Sequence, residues 1–402
     1  MREQIAAVDP QAAQRAVGAS IVRTPTLRCD ELSELAHTPT ALKAECMQVT
    51  GSFKLRGALN KLAALGGRAS AGVVTASAGN HARAVAQAAR LRGVACEVFM
   101  PADAAVSKLA AVERLGARVH VEGDSIEQAL HSAGAWAERS GATLVHPFDD
   151  LDVIAGQATL ALELLEDVPD VARVIVPVGG GGLASGVGIA LRRARAEVEL
   201  IGVQARACAP LLGALAGDAP AAPTRATVAD GIAVKRPGEI TLPLLRELLD
   251  GIETVTEDEI ADAIVFLAER AKLVAEGAGA VAAALLMRGE LGAREGPTVA
   301  IVSGGNIDSG LLSGLLLRHE TELGRRVRIF TRVPDRPGGL AELLASIARA
   351  RANVVSVEHV REAVPLAVRE TGVELTLETR GPGHTAEVLA ALRSDGYDVT
   401  TG

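Results

Sequence analysis

From residue 40 onward the chain alternates two kinds of apolar pattern. Short, nearly continuous apolar runs predict buried strands over 40–45, 72–76, 95–100, 119–122, 174–178, 200–203 and 298–302. Most give way to a turn containing Gly or Ser and then to a longer stretch with helical spacing of its apolar positions. Strands separated by helices imply parallel pairing with crossover connections, so the expected class is α/β with open twisted sheets. From about Arg325 the pattern changes: strand over 327–333, a turn at Asp335-Arg336-Pro337-Gly338-Gly339, an amphipathic helix over 340–351, a strand over 353–361, then strand, helix and strand over 373–379, 386–394 and 397–400. The order βαββαβ is that of a ferredoxin-like module. It predicts a larger unit over 1–320 followed by a small domain over 325–402.

Composition narrows the function classes. The chain has 402 residues with 41 Lys and Arg against 49 Asp and Glu, a net charge of −8, which argues against a nucleic-acid partner. Hydrophobic residues at 49% supply a large core, and aromatic residues at 2% leave little for base stacking or a membrane belt. Every apolar stretch is broken by Gly, Pro or charge before it could span a bilayer, and the start Met1-Arg2-Glu3-Gln4 lacks the apolar run of a secretory signal. Cys29, Cys46, Cys96 and Cys208 show neither Cys-x-x-Cys spacing nor a companion His pair, so no zinc site or disulfide framework is expected. A cytoplasmic location follows as an expectation.

Four strand-to-helix turns carry unusual residues, and in open α/β sheets such turns gather at the carboxyl ends of strands, where ligands bind. In Thr50-Gly51-Ser52-Phe53-Lys54-Leu55-Arg56-Gly57, a lysine opens a helix. The positive helix end and burial disfavour its charged form and suit it to Schiff-base chemistry. On the bare residue, a surface lysine is the commoner reading. Ser77-Ala78-Gly79-Asn80-His81 can cradle a carboxylate with backbone N–H groups and polar side chains, or can be an ordinary helix cap. The glycines Gly179, Gly180, Gly181 and Gly182, followed by Leu183, let the backbone approach a phosphate closely. No P-loop lysine follows, and no acid lies where a dinucleotide fingerprint needs one, so a monophosphate fits better. Ser303-Gly304-Gly305-Asn306, the fourth turn, places a hydroxyl at a strand end, where it can bond a heterocyclic nitrogen or act as a cap.

Together these turns describe a site for pyridoxal phosphate and an amino acid. The sequence resembles the fold-type II pyridoxal-phosphate enzymes, most closely threonine ammonia-lyases (threonine dehydratases) with a C-terminal ACT domain. The resemblance rests on the four turns, with His146-Pro147-Phe148-Asp149-Asp150, Gly156-Gln157 and Ala229-Asp230-Gly231. It implies two α/β subdomains within 1–320, the smaller one inserted over about 48–148. It also implies that Lys54 holds the cofactor as a Schiff base and removes the substrate's Cα proton. Phe53 would pack on the ring, Asn80 bond its 3′-oxygen, Gly179, Gly180, Gly181, Gly182 and Leu183 hold the phosphate, and Ser303 face the ring nitrogen. Ser77, Ala78, Gly79, Asn80 and His81 would bind the substrate. A serine, unlike an aspartate, does not enforce a protonated ring nitrogen, which favours β-elimination over transamination.

The implied reaction turns L-threonine into 2-oxobutanoate and ammonia, with L-serine to pyruvate alongside. Serine racemases share the fold, but they usually carry a second serine where this chain has Ala78, and their divalent-cation site needs acids where it has Ala205-Arg206-Ala207-Cys208-Ala209-Pro210. The resemblance therefore favours a lyase with no bound metal over a serine racemase, a serine dehydratase or a silent amino-acid sensor. Arg83-Ala84 departs from the Gln-Gly common in the family. The C-terminal segment looks like one ACT domain. Asp335, Gly338, Gly339, Leu340 and Asn353 would take an amino-acid effector, isoleucine or valine, between two copies of a homodimer or homotetramer.

Overall fold

The computed structural model describes residues 2–217, 225–361 and 366–401. It divides into two compact units, Met1–Asp308 and Ser309–Gly402. Its strands are β1 (Thr26–Arg28), β2 (Thr40–Ala44), β3 (Val73–Ala76), β4 (Cys96–Met100), β5 (Arg118–Val121), β6 (Thr143–Leu144), β7 (Arg173–Pro177), β8 (Glu199–Ala205), β9 (Gly251–Val255), β10 (Thr298–Val302), β11 (Arg326–Pro334), β12 (Asn353–Val360), β13 (Glu370–Glu378) and β14 (Thr400–Thr401).

The first unit holds two sheets. One has the order β1-β2-β10-β7-β8-β9 and is parallel except for β1. Every residue of β2, β7 and β10 is buried, as expected of parallel strands covered on both faces. The other sheet, β5-β4-β3-β6, is wholly parallel and falls within the stretch expected to form an inserted subdomain. Its core combines Val73, Val98 and Met100 with Leu55, Leu59 and Leu62 of the helix Lys54–Leu65 and Val85 of the helix Asn80–Arg92.

The helix Lys54–Leu65 packs against the helix Leu151–Asp167 at a spot where both backbones need glycine. A Cβ on Gly156 would collide with the Arg56 carbonyl oxygen. The expected strands agree with the observed ones to within two residues. Three strands carried no signal: β1 and β6 are too short for an alternation, and β9 reads Gly-Ile-Glu-Thr-Val, only partly buried.

In the second unit the strand order β12-β13-β11-β14, antiparallel throughout, completes the ferredoxin-like βαββαβ topology. The helices Gly339–Arg349 and Pro382–Ser394 contribute Leu343, Ile347, Val388 and Leu392 to a core with Ile329, Val333, Val373, Leu375 and Leu377. The second helix starts four residues before the expected 386, because Pro382 sits in its first turn, where a missing N–H costs nothing. The helix Ser309–Glu322 groups with this unit, whereas the sequence reading carried the first unit through 320. It leads into β11 through Gly324, which has φ 62° and whose carbonyl accepts hydrogen bonds from Thr379 and Thr385.

Candidate active site

Lys54 opens its helix because the preceding turn is stitched to another strand end. Gly51 takes φ 76°, Ser52 forms a bridge with Gly304, and the Phe53 N–H donates to the Ser303 carbonyl at 3.1 Å. The first and fourth turns thus become one structure. The Lys54 Nζ donates to the Pro147 carbonyl at 2.8 Å and stands 5.2 Å from the Phe53 ring centre. Burial lowers its pKa to about 8, against an opposing pull from the Glu276 carboxylate.

Two residues on, the Arg56 guanidinium is fully buried and forks onto Glu45 with two 2.8 Å bonds and onto Glu163 at 2.7 and 2.9 Å. Lys43 completes this cluster with a 2.8 Å bond to Glu163. Burial alone would push the Glu45 carboxyl up. The Arg56 charge and hydrogen bonds, with Thr24 and Lys43, hold it below the usual carboxylate range. Glu45 follows β2, Arg56 belongs to the lysine's helix and Glu163 to the helix Leu151–Asp167, so the cluster fixes that helix to two other elements.

In the second turn, Ser77 Oγ accepts from the Gly79 N–H at 3.1 Å, and Asn80 begins its helix. His81 is buried with Nε2 on the Val145 carbonyl at 3.0 Å. Burial, then the Lys54 charge, drives its pKa down to about 3, so the ring stays neutral. Asn80 Nδ2 donates to Glu276 Oε1 at 2.5 Å and Asn80 Oδ1 accepts from Asn306 Nδ2 at 2.6 Å. The Glu276 carboxyl, 6% exposed, is raised to about 7 by burial and by the nearby Asp230. Ser303, 3% exposed, donates from Oγ to the Ala278 carbonyl at 3.2 Å.

The glycine loop turns from β7 into the helix Gly182–Ala194, with Gly181 at φ 98°. A Cβ on Gly180 would collide with the Phe148 ring, and one on Gly179 would meet Ile232 at 2.9 Å. Thr241 Oγ1 pins the Gly180 carbonyl at 2.6 Å, while Asp149 Oδ1 accepts from the N–H groups of Ile240 and Thr241 at 2.9 and 3.0 Å. The first-turn N–H groups of the helix have no acceptor within it.

The structure thus brings together the lysine turn, the Asn80 turn and the Ser303 turn by direct hydrogen bonds, and ties the Phe148 segment both to Lys54, through Pro147, and to the glycine loop. Sequence reasoning missed Glu276 and the Pro147 carbonyl. The available signal for Glu276 was a single acid in the otherwise apolar run 273–287, which is buried almost throughout. The five residues expected to take an effector do not meet within the chain. Asp335, which pairs with Arg361 at 3.2 Å, follows the end of β11, where Pro334 faces Glu370. Asn353 starts β12 opposite Glu378, which faces Arg326 at the other end of β11. Gly338, at φ 92°, Gly339 and Leu340 lie on the Asp335 side, at the start of the helix Gly339–Arg349.

Residues 17–304 match the family model described as pyridoxal-phosphate dependent enzyme. The chain belongs to that family. A protein named L-threonine ammonia-lyase from Thermotoga maritima is 44% identical over 393 residues, covering 97% of this chain and 98% of that one. The solved processed form of threonine deaminase isoform 2 from Solanum lycopersicum is similar with a TM-score of 0.72 at 32% identity, over 79% of this chain and 88% of that chain. Maize serine racemase is similar with a TM-score of 0.73 at 33% identity, over 79% of this chain and 98% of that chain.

As a member of the family, the enzyme depends on pyridoxal phosphate, and its residues fit the group. The fully buried hydroxyls of Ser52 and Ser185 have no hydrogen-bond partner among the described residues. One sits in the lysine turn, the other in the first turn of the helix behind the glycine loop. Only the unprotonated amine of Lys54 can capture an aldehyde, so uptake of pyridoxal phosphate by the cofactor-free protein should rise with pH and level off just above pH 8. A rise continuing to pH 10.5, measured by stopped-flow absorbance, would show an amine with an ordinary pKa.

Among the described residues no helix is long and apolar enough to cross a membrane.

Proposed function

We propose that the enzyme eliminates water from L-threonine and releases 2-oxobutanoate and ammonia, with pyruvate formed from L-serine. The observation that carries this reading is the 44% identity to an L-threonine ammonia-lyase over nearly the whole chain. When bound, pyridoxal phosphate supplies the electron sink that acidifies the substrate's Cα–H. Lys54 holds the cofactor through Nζ, and the same nitrogen, kept neutral by burial, takes the Cα proton. Phe53 lies beside the amine and packs on the ring. The Ser77, Ala78, Gly79, Asn80 and His81 turn supplies backbone N–H groups to the substrate carboxylate, since the His81 ring is committed to Val145. Gly179 to Leu183 take the phosphate at a helix start. Ser303 offers the ring nitrogen a hydroxyl rather than a charge. Reduction of the holoenzyme with borohydride and peptide mapping should find the cofactor on Lys54; an adduct on any other lysine would refute this assignment.

A racemase reading has structural relatives behind it, but Ala78 carries no proton to return to Cα. Ala78→Ser should raise the ratio of racemisation to elimination of L-serine several-fold. An unchanged ratio, measured by chiral chromatography alongside oxo acid formation, would contradict this reading of the turn.

The C-terminal unit is, on the same proposal, an ACT-type regulatory module responsive to isoleucine or valine. Because Asn353 and the Asp335 turn lie at opposite ends of its sheet, the effector site is assembled between copies. Two-fold antiparallel pairing of the exposed edge strand β12 would set Asn353 of one copy beside the Asp335 end of the other. This supports a homodimer or homotetramer, and the expected location remains the cytoplasm.

A further inference from the structure

Asn80 is useful to a ring oxygen only if its amide is the right way round. A side-chain amide has one accepting and one donating end, and its two orientations fill the same space. Here a chain of four side chains settles the choice. Arg83, which can only donate, gives a hydrogen bond from its guanidinium to Asn306 Oδ1. That turns Asn306 Nδ2 toward two acceptors, the Thr50 carbonyl at 2.9 Å and Asn80 Oδ1 at 2.6 Å. The occupied Asn80 Oδ1 leaves Nδ2 to face Glu276 Oε1 at 2.5 Å. One Nδ2 hydrogen goes to Glu276, and the second stays with Asn80 for a ligand.

Close packing preserves the arrangement. A Cβ on Gly51 would collide with Asn306 Oδ1, and one on Gly304 would collide with Glu276 Oε1. The donor at the head of the chain is the residue where this sequence departs from the glutamine common in its relatives. A glutamine can donate or accept. An arginine admits one direction only.

We propose that Arg83, Asn306 and Glu276 are positioning residues that act through Asn80, fixing its amide so that an N–H rather than a carbonyl faces the phenolic oxygen of pyridoxal phosphate. This rests on the assignment of Asn80 to that oxygen made above. A donated hydrogen bond favours the ionised form of the phenol. Its loss therefore weakens cofactor binding and moves the cofactor's visible absorption toward the un-ionised form.

The test is a cycle of cofactor dissociation constants, read by titrating the cofactor-free proteins with pyridoxal phosphate, for the parent, Arg83→Met, Asn80→Ala and the double variant. Arg83→Met should weaken binding about tenfold in the parent background and less than about twofold when Asn80 is already alanine. Arg83→Gln, which can still donate, should recover most of the affinity and the parent absorption band. Equal losses in both backgrounds, or no loss in the parent, would overturn the relay. A cycle that couples with an unshifted absorption band would overturn the phenolic oxygen as its target. If the parent itself bound no pyridoxal phosphate, the functional reading would fall, and this proposal with it.

Discussion

Lys54→Ala is expected to remove 2-oxo acid formation, by about four orders of magnitude or more, while leaving a folded protein. The same nitrogen is asked to hold the cofactor and to move the Cα proton, so nothing nearby substitutes for it. His81 is neutral and tied to Val145, and Glu276 is engaged by Asn80. The fold should not suffer, because a desolvated amine works against it. Lys54 titrates near 8 in the folded chain and near 10.5 when unfolded. Below pH 8 both states carry the proton and the folded state bears the cost. Between pH 8 and 10.5 only the unfolded state binds it, so parent stability rises with pH across that window. The cofactor-free Lys54→Ala protein should accordingly be more stable than the cofactor-free parent at about pH 7, by about 1–2 kcal/mol, with the difference closing by about pH 10.5. Denaturant titrations at the two pH values measure this. A variant less stable than the parent near neutral pH would mean that the amine is better solvated than its surroundings indicate.

Arg56→Met should be the most damaging substitution that leaves the reacting atoms alone, destabilising the protein by about 3–5 kcal/mol. Methionine fills much of the volume but strands Glu45 and Glu163 next to the single charge of Lys43. Glu45 would then favour its neutral form, so the deficit should be smaller at about pH 5 than at about pH 8. Urea unfolding at both values reads it. A loss below about 1 kcal/mol at the higher pH would show that the cluster is hydrated. Because Arg56 stands two residues from Lys54, the variant should also lose activity at temperatures where it is still folded.

The sequence revealed much of this architecture, and the reason differs from element to element. Strands such as β7 and β10 are apolar runs buried along their whole length, so hydrophobicity alone marks them, and the turns after them are marked by Gly and Ser. What stayed hidden depends on contacts between distant segments. Glu276 matters because Asn80, nearly two hundred residues earlier, reaches it, and no local pattern records that meeting. Arg56 reads as an ordinary helix residue until Glu45 and Glu163 converge on it. The separation of Asp335 from Asn353 follows from strand register, which sequence order alone does not give. Family resemblance supplied roles for Lys54, Asn80, the glycine loop and Ser303. The physical causes of those roles, namely burial, the shared lysine and serine turns and the orientation of the amide, came from the folded chain.

The most direct test is to incubate the purified protein with pyridoxal phosphate and L-threonine and to quantify the oxo acid and ammonia. The account predicts 2-oxobutanoate and ammonia in equal amounts, with pyruvate from L-serine in a parallel reaction. Bound pyridoxal phosphate with no oxo acid from either amino acid would contradict it.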